Sequence, residues 1–591
     1  MAGDEDDVES GRSATWREEL WRLVLLAAPL IVAQVGLVAM GIVDQMVVGR
    51  TSLVTGGRDD FALTAIGLGD MYVMSVLLFG MGVSMGLDPV VTQRLGARDP
   101  RGARRALGDA MWAAVVMTPI LFAAVWAIDR FVMIPVAEGR EPWEALRLKE
   151  PEVGPPMRDY AWLRALGIFP FMAFAAFRSW FFARHAVWPM IAVVLLGNLL
   201  NAVLDWLFVF GDAGLVRLGL PAVGLPAFGP AGAGAVTAVV NVAMVLALWA
   251  IYRRMDAGER DDAALRPFLA EVAGLPERDR KTSEIYNELD AALTAEFRRR
   301  SPAGARVEAS IDRSTGEIRC VRDGLPAKVD AAFARATSNI ARRILLRRAR
   351  EQGSAGAGVP AAAPPAPVAS WETERRSVGV RRIYRLGIPV ACQTALEVLI
   401  FNLVGVMTPG FGAATSAAHQ ISLRIASVTF MATTGIGAAA AVRVGRAIGR
   451  GATPEARRSG VIACLSGVVW MTACGVVLLL WPERIARIFT SDENVLAAVG
   501  PLLRIAAVFQ IFDGLQSVVS GALRGAGDTL VPFLANLVAY WAIGFPIALY
   551  LRPRLGVAGM WWGLSAGLFV VSLLLTWRFL RLTRVAVARV G

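Results

Sequence analysis

Lysine is almost missing from this chain of 591 residues, standing only at 149, 281 and 328. The remaining basic residues are arginines, apart from the two histidines, His185 and His419. Four cysteines (Cys320, Cys392, Cys464 and Cys474) are too scattered for a disulfide framework or a metal cluster. Gly232–Ala233–Gly234 is no phosphate-binding loop, since no lysine follows it, which argues against ATP as the energy source. No loop or span pairs a nucleophile with a base, so nothing supports an enzyme. Charge itself is scarce at 19%, against about 25% in soluble domains, while 55% of residues are hydrophobic and the mean hydropathy is +0.51. The net charge of +12 collects in short connectors, as in loops that fix membrane topology, and does not indicate nucleic acid.

What the sequence has is long apolar blocks, each of the length that crosses a bilayer core. Six precede residue 254, at about 21–48, 61–91, 106–134, 160–183, 187–210 and 229–252. Six more follow residue 380, at about 383–408, 415–445, 459–481, 498–521, 530–551 and 556–580. Backbone polar groups in a bilayer must be satisfied within the segment, so these blocks are helices, bent where proline and glycine interrupt them. The fold class expected is all-α: twelve transmembrane helices in two pseudo-symmetric six-helix lobes, 21–253 and 376–582. The acidic N-terminus is no cleaved signal, and the first span serves as insertion signal. Arginine-rich connectors at 94–105 and 443–458 and the basic C-terminus fall on one side, expected to be cytoplasmic together with both termini.

The halves repeat. Gly80–Met81–Gly82 leading to LGARDPRGARR (95–105) pairs with Gly435–Ile436–Gly437 leading to IGRGATPEARR (448–458). APLIVAQ (28–34) in the first span pairs with IPVACQ (388–393) in the seventh, and FGPAG (228–232) with LGVAG (555–559). Internal repeats of this kind are characteristic of secondary transporters. Between the halves, 254–375 is a polar insertion, expected to form a small α+β cytoplasmic domain. It comprises a helix at 283–297, a hairpin at 305–322 turning at Ser314, a basic amphipathic helix at 327–351, and an Ala/Pro/Gly linker.

Ionisable residues deep in a span are costly and mark function. The candidates are Asp44, Asp205, Glu397 and Asp513, with Asp88 and Arg443 behind them and almost no buried bases beside them. Such acids suit a proton, a metal cation such as Na+, or an organic cation. Asn201 and Asp205, four apart, share a helix face, as do Gln393 and Glu397; Thr237 adds a hydroxyl from the sixth span.

Pro29 with Asp44, the N-x-x-x-D of Asn201 and Asp205 with Thr237, the P-x-x-x-Q-x-x-x-E ending at Glu397, AAHQISLRIASVTFMATTGIGAAAAVRVGRAIG (417–449) and Asp513 with GALRGAGDT (521–529) together resemble the MATE (multidrug and toxic compound extrusion) transporters, NorM-like branch. The resemblance covers both halves and leaves out the insertion. It implies a cation-coupled antiporter of a bacterial inner membrane, exporting small organic cations and drugs by alternating access. Asp44, Asn201, Asp205 and Thr237 would form an N-lobe cation site, with Na+ as the metal, and Glu397 with Asp513 a C-lobe acidic pair. Gln34 and Gln393 are assigned to substrate. No cofactor beyond Na+ or H+ as coupling ion is implied; the partners are the substrate and membrane lipid, with no nucleic acid, and the protein is expected to be a monomer. Two departures stand out: Phe509 occupies a position where some relatives carry a tyrosine, and SWFFARHAV (179–187) lacks the glycines of its C-lobe counterpart. The alternatives are a flippase for a lipid-linked substrate and a membrane-anchored binding or sensing module acting through the insertion.

Overall fold

Hydropathy and length decide the architecture. The computed structural model describes residues 16–50, 59–133, 154–273, 284–299, 301, 307–311, 318–322, 325–326, 379–408, 411–489 and 492–590. Among them, ten continuous helices are long and apolar enough to cross a bilayer, from Trp16–Val48 to Leu530–Leu582. Two observations bring the number to twelve. Gly154–Ala165 and Ile168–Ala183 meet at a 46° bend and together make the fourth span. Leu530–Leu582 has 53 residues, about 80 Å of helix and more than twice a bilayer core. Its backbone leaves the helical region at Gly556 (φ 60°, ψ −139°), a left-handed conformation that glycine adopts without steric cost, so the helix folds back there as spans eleven and twelve. The span boundaries follow the apolar blocks closely, except that the sixth helix continues to Ala273.

The two lobes meet through spans one and two of the first and spans seven and eight of the second, and the meeting is built on glycine. A β-carbon on Gly82 would lie 2.4 Å from Ala391 Cα, and one on Gly435 would lie 2.9 Å from Ile31 N. Gly96 and Gly449 make the same reciprocal approach, to the carbonyls of Arg446 and Gln93 respectively. These contacts correct the repeat register: the partner of Gly435 is Gly82, two residues on from Gly80. Polar ties reinforce the same end. Gln93 Nε2 donates to Gly525 O at 3.0 Å, and Arg446 Nε donates to Ala183 O at 3.1 Å. Asp88 pairs with Arg524 at 2.9 Å. Glu19, buried, binds Arg443 through both carboxylate oxygens and accepts a bond from Ser459. All of this lies at the end bearing the arginine-rich connectors. Asp88 and Arg443 thus belong to lobe closure rather than to an ion site.

The missing glycines of 179–187 have a local explanation. His185 takes a positive φ (56°) in the turn after the fourth span, as Gly527 (φ 84°) does after the tenth. The geometry of the turn has survived where the glycine has not. Histidine is among the few side chains that visit this region with any frequency.

Between spans five and six, Asp212 organises the connector by accepting the backbone N–H groups of Val223, Gly224 and Leu225 at 2.9–3.1 Å. Those bonds favour the ionised carboxylate and hold its pKa below the usual 3.8. Because the folded value is depressed, the stabilisation is present above pH 3.8 and fades as the pH falls through the folded value. At neutral pH, Asp212→Ala is expected to speed hydrogen exchange at Val223, Gly224 and Leu225. Wild type should reproduce that change in acid after correction for intrinsic exchange rates.

The segment Trp249–Arg375 is a second unit. Its helix Glu284–Arg299 packs Leu293 and Phe297 inward. Strands β1 (Val307–Ile311) and β2 (Ile318–Arg322) pair antiparallel in the register Val307↔Arg322, and β3 (Leu325–Pro326) extends the sheet. The expected helix and hairpin are therefore present. The turn at Ser314, the basic helix at 327–351 and the linker lie outside the described residues. All four cysteines are free thiols.

Candidate functional site

The first span carries Asp44 near its end, and the fifth carries Asn201 and Asp205 one helical turn apart on a buried face. The Asn201 amide uses both N–H groups, one on Asp44 Oδ1 at 2.7 Å and one on Asp205 Oδ2. From the sixth span, Thr237 Oγ1 donates to Asp44 Oδ2 at 2.9 Å, sharing its proton with Ala233 O. Asp44, Asn201, Asp205 and Thr237 therefore converge as expected, and all are at most 3% exposed. Asn201 Oδ1 and Asp205 Oδ1 are buried and have no hydrogen-bond partner among the described residues. Two carboxylates and two neutral oxygens from three spans are the donor set a hard cation or a proton uses.

This cluster also holds a base. Arg164, beside the bend at the end of the first segment (Gly154–Ala165) of the fourth span, is 6% exposed; its Nη1 lies 3.7 Å from Asp44 Oδ2 and its Nε 2.9 Å from Asp70 Oδ1. Neither nitrogen is aligned for a hydrogen bond, so charge rather than direction holds the guanidinium. Tyr160 completes the group, donating to Asp70 Oδ1 at 3.3 Å, with its ring centroid 5.9 Å from Arg164. A second buried arginine, Arg178, reaches Gln34 Oε1 at 3.4 Å and Met81 Sδ at 3.9 Å. The expectation of almost no buried bases is thus overturned. In the sequence Arg164 stands close to the start of its apolar block, where a charge reads as part of a helix end. The bend at Gly167, where the backbone comes close to Ala238 of the sixth span, turns that start into the lobe interior.

In the C-lobe, Glu397 and Asp513 are half-buried and feel each other's charge. Among the described residues neither makes an ion pair. Glu397 Oε1 accepts from Gln516 Nε2 at 3.1 Å, which also donates to Asn536 Oδ1 at 3.2 Å. Tyr540 OH donates to Gln516 Oε1 at 2.8 Å. Tyr540 lies on a π-helical stretch, Leu537–Gly544, a wider turn that recurs at functional sites. The hydroxyl absent at Phe509 is thus available from the eleventh span, one amide removed from Glu397. Phe509 itself packs against Trp561, whose Nε1 donates to His419 Nδ1 at 3.0 Å. His419 is buried and acts as acceptor there, which fits a structural role.

The two glutamines part company. Gln34 Nε2 crosses to Thr434 Oγ1 of the other lobe at 3.4 Å, whereas Gln393 Nε2 stays within its lobe on Ser520 Oγ at 3.1 Å. The approaches of Ile31 and Ala391 to equivalent glycines put Pro29 and Pro389 in register. Gln34 then falls five residues after its proline and Gln393 four, about 100° apart around the helix.

Comparison with known proteins agrees with this arrangement. A probable multidrug resistance protein NorM of Rhodopseudomonas palustris is 28% identical over 584 residues, 98% of this chain and 95% of the relative. The multidrug resistance protein NorM of Burkholderia vietnamiensis is 45% identical over 201 residues, 33% of this chain and 44% of the relative. Among solved structures, the eukaryotic MATE transporter AtDTX14 superposes with a TM-score of 0.63 at 16% identity, covering 98% of this chain and all of the other. An outward-facing MATE family transporter of the MOP superfamily gives 0.61 at 17% identity, with 96% of each chain covered. The fold is that of the twelve-helix transporters, and the MatE family profile matches residues 29–207 and 389–550, the two lobes without the insertion. The chain belongs to the MatE family.

Proposed function

We propose that the protein exports organic cations across a bacterial cytoplasmic membrane in exchange for a cation moving down its gradient. The observation that carries this reading is the pair of intramembrane acidic clusters, one in each lobe, beside a lobe interface held by close backbone contacts and ion pairs at the end of the arginine-rich connectors. Binding of the coupling cation discharges the acids and favours the other arrangement of the lobes; the transported cation favours the first. Exchange then follows from unequal affinity for two states. In this reading the end that carries the arginine-rich connectors is the cytoplasmic one, with both termini. A monomer in lipid suffices, since each lobe contains its own cluster.

Buried Arg178, 5% exposed beside Gln34 at the lobe interface, favours a second reading, because a phosphate-bearing lipid-linked substrate needs such a cation. Ethidium export from everted vesicles, with Na+ and pH gradients imposed separately, decides between the two. Export driven by one gradient and lost in both Asp44→Asn and Glu397→Gln is the expected result. A correctly inserted protein that moves no cationic compound under either gradient supports the flippase instead.

A further inference from the structure

Resting on the reading of the acidic clusters as coupling sites, we infer that Arg164 is a tethered cation that bars Na+ from the N-lobe cluster, leaving it to protons and assigning any metal cation to the C-lobe. The oxygen set suits Na+ in number and type, but its charge is already partly balanced from within. The groups facing Arg164 are Asp44 from the first span, Asp70 from the second, Tyr160 from its own helix and Asp205 from the fifth. Asn201 and Thr237 stand behind Asp44. A metal ion bound to Asp44 would sit about 5 Å from the guanidinium. At an effective dielectric near 20, that repulsion costs on the order of a hundredfold in affinity. The same charge opposes a proton as well, but burial of two adjacent carboxylates favours discharging one of them through a covalent O–H bond, a compensation that Na+ lacks. Loss of the Asp44 charge would leave Arg164 held by Asp70 and, farther off, by Asp205. The absence of aligned hydrogen bonds on Nε and Nη1 leaves it free to make that shift. The C-lobe offers the contrast, because Glu397 and Asp513 make no ion pair among the described residues and Gln516, Asn536 and Tyr540 bring only neutral oxygens and N–H groups.

The test is equilibrium Na+ binding to the purified full-length protein, in a Glu397→Gln/Asp513→Asn background that silences the C-lobe. No transported compound is present, so the result stands apart from whether organic cations are exported. The background protein is expected to show no saturable Na+ binding. Adding Arg164→Gln should create a site on the order of a hundredfold tighter, about 2.8 kcal/mol at 1.4 kcal/mol per factor of ten, that disappears again with Asp44→Asn. Arg164→Lys keeps the charge and should keep Na+ out. Each variant is taken forward only with a thermal transition matching the background. Na+ binding of equal strength with and without Arg164, no binding in a folded Arg164→Gln protein, or binding by Arg164→Lys as strong as by Arg164→Gln would each overturn the inference.

Discussion

Valine at position 82 is expected to reduce export by at least about tenfold. A β-carbon there would lie 2.4 Å from Ala391 Cα and 2.8 Å from its nitrogen, so no side chain can turn aside to make room. Overpacking costs about 1–3 kcal/mol even where neighbours can adjust. In the proposed alternation the strain would fall on the arrangement with this contact made, so the equilibrium between arrangements would shift by roughly tenfold to a hundredfold. Gly108→Val is the control, since nothing lies within 4 Å of a β-carbon at that position. Dye efflux, together with distance measurements between spin labels on the second and seventh spans, should show Gly82→Val open at this end and Gly108→Val unchanged. Normal efflux with a normal label distance in Gly82→Val would mean that the close approach is dispensable.

The second large effect concerns Glu19. Its carboxylate is 3% exposed, binds Arg443 bidentately and accepts from Ser459, linking the first span to the eighth and ninth. Removing one partner of a buried pair costs about 3–5 kcal/mol, because the remaining charge loses its compensation, whereas replacing both by apolar groups is often near neutral. Glu19→Ala should therefore lower the thermal transition in detergent sharply, and Glu19→Leu/Arg443→Met should recover most of it. Equal losses in the single and double variants would show that the carboxylate acts through contacts other than Arg443.

The sequence made these predictions possible in part. Span positions follow from bilayer thickness acting on composition, so hydropathy alone located all twelve. Asn201 and Asp205 were legible because a spacing of four forces two side chains onto one helical face. Arg164, Asp70 and Tyr160 were not, because their meeting depends on the 46° bend of the fourth span and on which way it turns. Gln516, Asn536 and Tyr540 escaped for another reason. Neutral polar side chains in a span serve equally as helix-to-helix hydrogen bonds, and sequence does not separate the two uses. The register between halves was read from short glycine strings, which tolerate a slip of two residues; reciprocal backbone contacts do not.

The glycine-lined seam at the end of the arginine-rich connectors has a bearing on efficiency. Helices that touch backbone to backbone, at Gly82 with Ala391, Gly435 with Ile31, Gly96 with Arg446 and Gly449 with Gln93, leave no room for a water molecule at those contacts. Where no file of water can form, protons have no wire along which to hop and small ions no hydrated leak. On the proposed exchange, the bare surfaces of four glycines would serve as a dry gasket that keeps the coupling gradient from leaking while the molecule stands idle.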